Sequence, residues 1–234
     1  MKDLLGQAIL DYQIQKTPVF VNTCTDITDW DELEIAYFFR AYKAMPKLEQ
    51  NALDKCTGKV LDVGCGAGSH ALYLQQKGVD VTAIDISAHA VETAKKRGVK
   101  QAFQQDLMTV SEKFDTILLL MNGTGIFQTL AQTSAYLQKL KLLLNPGGQI
   151  LIDSSDLIYL FDEDEDGSKW IPYDGKYYGE LNFTLQYKNQ EESFPWLYLD
   201  FNTLQRACLA NELSCELIVE GENYDYLARI TSID

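Results

Sequence analysis

The chain has 234 residues, 46% hydrophobic and 11% aromatic, with a formal net charge of −14. That length and apolar content support one domain with elaborations and exclude disorder as the main state. The acidic balance repels phosphate backbones and anionic headgroups, so neither nucleic acid nor a membrane is an expected partner.

Residues 1–16 carry Asp3 and Asp11 and lack the apolar core of a signal peptide, and the longest apolar runs, such as residues 117–121, fall well short of the ~20 residues of a membrane span. The five cysteines (Cys24, Cys56, Cys65, Cys208, Cys215) show no C-x-x-C spacing, and only His70 and His89 could add imidazole. A disulfide framework and a metal site are therefore not expected, and a cytoplasmic protein with reduced thiols is.

Residues 1–57 read as a helical lid segment. Acids open the stretch 31–42 and apolar groups follow at helical spacing, and Pro46 starts a second helix running to about Asp54. No strand pattern is expected before Lys59. From there strands and helices alternate. Val60-Leu61-Asp62-Val63 is a short strand ending in glycines, and residues 67–77 form a helix stopped by Gly78. Residues 79–84 are strand, Ser87 caps a helix that Gly98 closes, and a short strand lies near 101–104. Residues 114–121 are a strand buried on both faces, 129–144 a helix, and 149–152 the next strand after the turn Asn145-Pro146-Gly147-Gly148. This alternation predicts an α/β, doubly wound parallel sheet.

After Asp153 the alternation lapses. Residues 155–201 read as an insertion with an acidic loop at 162–166 and a β-hairpin (177–188 and 196–201) turning around 189–193. A helix over 203–213, capped by Asn202, and two strands at 215–220 and 226–230 close the chain. The last two strands are too close for a crossover, so they pair antiparallel. The insertion leaves from the C-terminal edge of the sheet, where open α/β sheets bind ligands.

The stretch Asp62-Val63-Gly64-Cys65-Gly66-Ala67-Gly68 carries the chemistry. Its spacing is G-x-G-x-G, whereas a dinucleotide fingerprint is G-x-G-x-x-G. Asp62 stands two residues before the first glycine; a carboxylate there repels a pyrophosphate and favours a ligand with positive charge. Asp85 ends the next strand, nineteen residues beyond Gly66, where an acid accepts hydrogen bonds from ribose hydroxyls. Together they ask for an adenosine with a cationic, phosphate-free tail, and S-adenosylmethionine meets that description.

From Lys59 to its C-terminus the chain resembles the class I S-adenosylmethionine-dependent methyltransferases. The resemblance implies a Rossmann-like, seven-stranded, mostly parallel sheet with one antiparallel strand near the C-terminus, so that residues 58–234 form the methyltransferase core and 155–201 cap the acceptor site. It places Asp62, Gly64, Gly66 and Gly68 in the cofactor loop, Asp85 on the ribose and Ile86 on the adenine. Asp106 and Leu107 would meet the adenine edge, and Met121 and Asn122 would line the methyl-transfer position.

The Asn/Asp-Pro-Pro-Tyr/Phe motif of amino-directed adenine and glutamine methyltransferases is absent, since Met121-Asn122-Gly123 stands there. With the acidic charge, this favours a small-molecule acceptor. No convincing general base is legible: His70, in the first helical turn after the loop, suits packing or solvent better than proton transfer, and His89 suits solvent. Tyr37, Arg40 and Tyr42 suit either a lid, with Arg40 on the cofactor's carboxylate, or a packing helix. The hairpin aromatics, Phe183 and Trp196 among them, suit either an acceptor wall or the hairpin's own core. Two other functions stay open on the same fold. One is an aminopropyl transferase, which needs further site acids around Asp153 and Asp156. The other is a non-catalytic S-adenosylmethionine-binding protein.

Overall fold

The structure, a computed structural model, describes residues 2–164, 166–171 and 175–233. In chain order the elements are α1 (Leu4–Gln15), β1 (Phe20–Thr25), β2 (Thr28–Glu34), α2 (Lys47–Asp54), β3 (Lys59–Val63), α3 (Ser69–Gln76), β4 (Asp80–Asp85), α4 (Ala88–Arg97) and β5 (Ala102–Gln104). Then follow β6 (Phe114–Leu119), α5 (Leu130–Leu142), β7 (Leu144–Ser155), β8 (Glu180–Tyr187), β9 (Gln190–Leu197), α6 (Phe201–Ala210), β10 (Leu213–Glu220) and β11 (Asp225–Ser232).

Seven strands form the main sheet in the order β10-β11-β7-β6-β3-β4-β5. Strands β5, β4, β3, β6 and β7 run parallel, and β11 lies antiparallel to both β7 and β10. This is the expected Rossmann-like arrangement. Strand β6 sits at its centre, and Phe114, Ile117, Leu118 and Leu119 on it are fully buried. Each such side chain contributes about 1.5–3 kcal/mol. Ser87 caps α4 by accepting from the amide of Ala90, and Gly98 ends that helix at φ 104°. Both follow the sequence signals. Among the described residues no helix is long and apolar enough to cross a membrane.

The N-terminal segment departs from expectation. Residues 28–34 are a strand, and helical turns of 3-10 type begin only at Ile35. Strand β2 pairs with β1, and all of β2 but the half-buried Leu33 is exposed. A charged, solvated edge strand carries no alternating apolar signal, and its acids imitate a helix start. Strand β1 also pairs with β8, so these strands and the hairpin form a second sheet, β2-β1-β8-β9. Segments more than 140 residues apart in sequence thus build one cap (Asn22 faces Gln186 across β1 and β8).

The hairpin's register also differs from the reading. Tyr187 faces Gln190, so the turn is Lys188-Asn189, with both residues left-handed (φ 48° and 61°). A two-residue turn of this kind matches strand twist better than the longer polar turn expected at 189–193. Residues 191–193 therefore belong to β9. Helix α6 begins at Phe201, and Asp200, not Asn202, caps it by accepting from the Thr203 amide at 2.9 Å.

The shifted register gives Glu192 a task. Its carboxylate accepts from the amides of Lys2, Asp3 and Leu4 at 2.7–3.2 Å. These are donors at the start of α1 with no helical partner. The charge also complements the helix dipole. Replacing Glu192 by Ala is expected to cost about 1–2 kcal/mol, in the range of a lost N-cap. Urea denaturation checks this, and an unchanged midpoint would mean that α1 is not held from β9.

Candidate active site

The loop between β3 and α3 takes left-handed backbone at all three glycines, with φ 71°, 52° and 78° at Gly64, Gly66 and Gly68. Side chains disfavour this conformation. At Gly68 a Cβ would also press on Val99 Cγ2 (2.8 Å) and Ala94 Cβ (3.0 Å), so the third glycine lets α4 pack against the loop. At Gly66 a Cβ would meet nothing within 4 Å, because that backbone faces open space. Asp85, at the end of β4, accepts from the amide of Gly66 at 2.9 Å and from that of Ser87 at 2.8 Å. Burial raises the Asp85 carboxyl above its ordinary range, against the pull of those two amides.

A mostly apolar cavity of about 540 Å³ opens above the loop. That size suits a small-molecule site. Of the residues proposed from the sequence, Gly64, Gly66, Asp85, Ile86, Met121 and Asn122 line it. Asp62 and Gly68 lie beneath the loop, buried. Asp106 and Leu107 do not reach the wall. Strand β5 is three residues long, and Asp106 turns back to cap the following 3-10 turn by accepting from the Met108 amide. They still sit at the same sheet end as Asp85, since Asp85 is in register with Gln104.

A buried charge cluster forms the floor. Glu49 on α2 accepts from the Arg40 guanidinium at 2.7 Å and sits 2.8 Å from His70 Nε2. Arg40 also stacks on the Tyr37 ring at 3.4 Å, and its Nε is buried with no partner. Asp62 Oδ2 is buried without a partner as well. Burial on its own would lower the His70 imidazole. The hydrogen bond to Glu49 and the charges of Asp62, Glu49 and Asp153 outweigh it, and the imidazole is raised above its ordinary value. His70 is thus a buried, paired group, in contrast to the packing or solvent role expected. His89 is not simply solvated either, for its Nδ1 pairs with Asp3 at 2.8 Å. Tyr37 and Arg40 line the cavity, while Tyr42 stacks on Tyr73 away from it.

At the end of β6, Met121 and Asn122 are both left-handed, φ 67° and 60°. Non-glycine residues hold that conformation only where neighbours enforce it. Asp153 on β7 does so by accepting from the amides of Met121 (3.1 Å) and Gly123 (2.9 Å). Burial pushes the Asp153 carboxyl up to about 6, with those amides opposing.

Sequence reasoning missed several walls. Helix α1 closes one side through Leu5, Gly6 and Ile9, and the second sheet closes another through Leu33 and Phe194, with Tyr198 just past β9. The β-branched run at 19–25 was a strand signal for β1. Glu49 had no local signal at all. Of the hairpin aromatics, Phe183 and Trp196 face the cavity, whereas Tyr177 and Tyr178 donate to Asp200 and Asp156. Trp170 is exposed, Tyr173 and Glu165 lie outside the described residues, and Asp156 caps a 3-10 turn.

A sequence profile described as a methyltransferase domain matches residues 54–198. The crystal structure of an S-adenosylmethionine-dependent methyltransferase from Bacteroides fragilis, in complex with S-adenosyl-L-homocysteine, is 47% identical. It aligns over 99% of this chain and 95% of its own, with a TM-score of 0.91. A ubiquinone biosynthesis O-methyltransferase of Xanthomonas oryzae pv. oryzae is 29% identical over 111 residues, 44% of this chain and 45% of that protein. A glycine/sarcosine N-methyltransferase of Halorhodospira halochloris is 27% identical over 167 residues, 67% of this chain and 59% of that protein. The chain thus spans about half the length of the curated relatives it matches.

Two outcomes are expected from the buried charges. The carboxyl carbon of Asp153 should titrate near the value of about 6, not near about 4. The folded state then holds this proton more tightly than the unfolded chain does. Stability from Asp153 accordingly rises as pH falls from about 6 towards 3.8. Asp153→Asn loses that slope, and a carbon-13 midpoint near about 4 would contradict the assignment. Glu49→Gln, which strands Arg40 and His70, should cost about 3–5 kcal/mol in chemical denaturation. A loss under about 1 kcal/mol would place the cluster in solvent.

Proposed function

Because the chain belongs to the S-adenosylmethionine-dependent methyltransferase family, we propose that it binds S-adenosylmethionine in the cavity above the glycine loop and methylates a small-molecule acceptor there. The observation that carries this reading is the pairing of an open backbone cradle at Gly66 with Asp85 beside it. The donor set fits the cofactor. Asp85 Oδ1 and Oδ2 already accept amides, and a carboxylate retains lone pairs for ribose hydroxyls. Ile86, 54% exposed, offers apolar surface to the adenine, and Asp106 and Leu107, at the same sheet end as Asp85, are the residues we assign to the adenine edge. The unpartnered Nε of Arg40 would take the carboxylate of the amino-acid tail. Asp62 under the loop favours that tail's positive charges.

When bound, S-adenosylmethionine supplies a methyl group on a positively charged sulfur, already activated for displacement. The protein's part is positioning and exclusion of water. Holding two reactants in line is worth about 7–11 kcal/mol. Met121 and Asn122, fixed by Asp153, and the aromatic face of the second sheet supply rigid walls for this. Glu49 and His70 hold each other and leave Arg40 oriented. The aminopropyl transferase reading loses support, because neither Asp153 nor Asp156 lines the cavity.

Isothermal calorimetry with S-adenosyl-L-homocysteine tests the reading. Micromolar affinity, about 8 kcal/mol, is expected for the wild type. Asp85→Ala should weaken it at least about tenfold. Equal affinity in the two proteins removes the ribose assignment, and no binding to either removes the cofactor.

A further inference from the structure

The inner face of the second sheet is an organised aromatic wall. Phe183 and Leu185 on β8, and Phe194 and Trp196 on β9, all line the cavity. Their spacing of two residues puts them on one face of the hairpin. Phe183 is in register with Phe194, and the two rings stack with centroids 5.5 Å apart. Trp196 meets Phe194 edge-on at 5.9 Å.

This wall stands against the glycine loop through one short turn. The indole of Trp196 lies on the backbone of Gly125, where a Cβ has no room. The next residue, Ile126, brings its Cδ1 to 3.3 Å from the Cβ position of Gly64. The aromatic face and the loop that cradles the cofactor are therefore opposite sides of one chamber.

The charged side chains lining that chamber are already committed. Glu192 accepts three amides of the α1 start. Asp3 pairs with His89, Glu49 with Arg40 and His70, and Asp85 accepts the Gly66 and Ser87 amides. Among the buried atoms of these side chains Arg40 Nε has no partner, and Arg40 lies with Tyr37 and Met121. Of the wall's own side chains only Glu192 is charged, and both its carboxylate oxygens are held by the α1 amides, so a cationic or zwitterionic acceptor would lose its hydration against Phe183, Phe194 and Trp196 with only that occupied carboxylate to offset it. A flat ring gains face and edge contacts with the same three side chains.

From this we infer that the acceptor is a neutral, planar aromatic small molecule held against Phe183, Phe194 and Trp196. The inference rests on the methyltransferase reading for the cofactor on the opposite side, and its binding test is independent of catalysis. The probes are 2-naphthol, its saturated counterpart decahydro-2-naphthol, glucosamine and sarcosine. Each is titrated by calorimetry into the protein with and without S-adenosyl-L-homocysteine.

2-Naphthol should bind at least about tenfold more tightly than each of the other three. Trp196→Ala and Phe194→Leu should each weaken it about fivefold or more. Phe194→Leu should hold S-adenosyl-L-homocysteine within about twofold of wild type, because it is Trp196, not Phe194, that packs on the Gly125 turn leading to the loop. Should Trp196→Ala not fold by circular dichroism, Phe194→Leu decides. Glucosamine, sarcosine or the saturated alcohol binding as well as 2-naphthol overturns the inference, as does 2-naphthol binding that the folded variants leave unchanged. Loss of S-adenosyl-L-homocysteine binding with the probe ranking intact overturns the cofactor reading instead.

Discussion

The site depends on the bond from the Gly66 amide to the Asp85 carboxylate. It ties the turn after β3 to the end of β4, and the amides of Gly64 and Cys65 reinforce it by donating to the Ile84 carbonyl. Three left-handed glycines make that turn tight enough to expose its backbone. In the proposed function the side chain that holds the loop is also the one that meets a ribose. Arg97 extends the same logic. It donates to the Ala67 carbonyl and lies over the Phe39 ring, pinning the segment after β2 onto the loop.

The second theme is buried charge arranged in closed groups. Glu49 pairs with both Arg40 and His70 at the cavity floor, leaving Arg40 Nε without a partner, and Asp153 satisfies the amides of the strained turn after β6. Desolvated charges of this kind are costly unless paired, so they fix geometry more than they add stability. Here they fix Arg40 and Met121, the two residues that meet across the cavity at 3.9 Å. An acidic protein thus presents a chamber whose acids are internally occupied.

The cap links distant parts of the chain. Strand β1 lies between β2 and β8, and Glu192 on β9 holds the first amides of α1. The N-terminal segment and the insertion are therefore one structural unit over the cavity, and a change in either is felt by both. Because β2 is a charged edge strand, its exposed acids discourage pairing with another chain.

The order of strands and helices from β3 to β7, the glycine loop and the acid at the end of β4 were legible in the sequence. Each is a local signal: a short apolar run, a glycine where φ must be positive, a cap before a helix. The strands of the N-terminal segment, the register of the hairpin and the partners of Glu49, Glu192 and Asp153 were not. Strand β2 shows no apolar alternation because only one of its residues is even half-buried. The partners lie 9 to 190 residues apart, as in Arg40 with Glu49 and Lys2 with Glu192. Local chemistry determined that the chain builds a cofactor loop. Only folding decided which side chains close the chamber above it, because those contacts exist only once distant segments share one sheet.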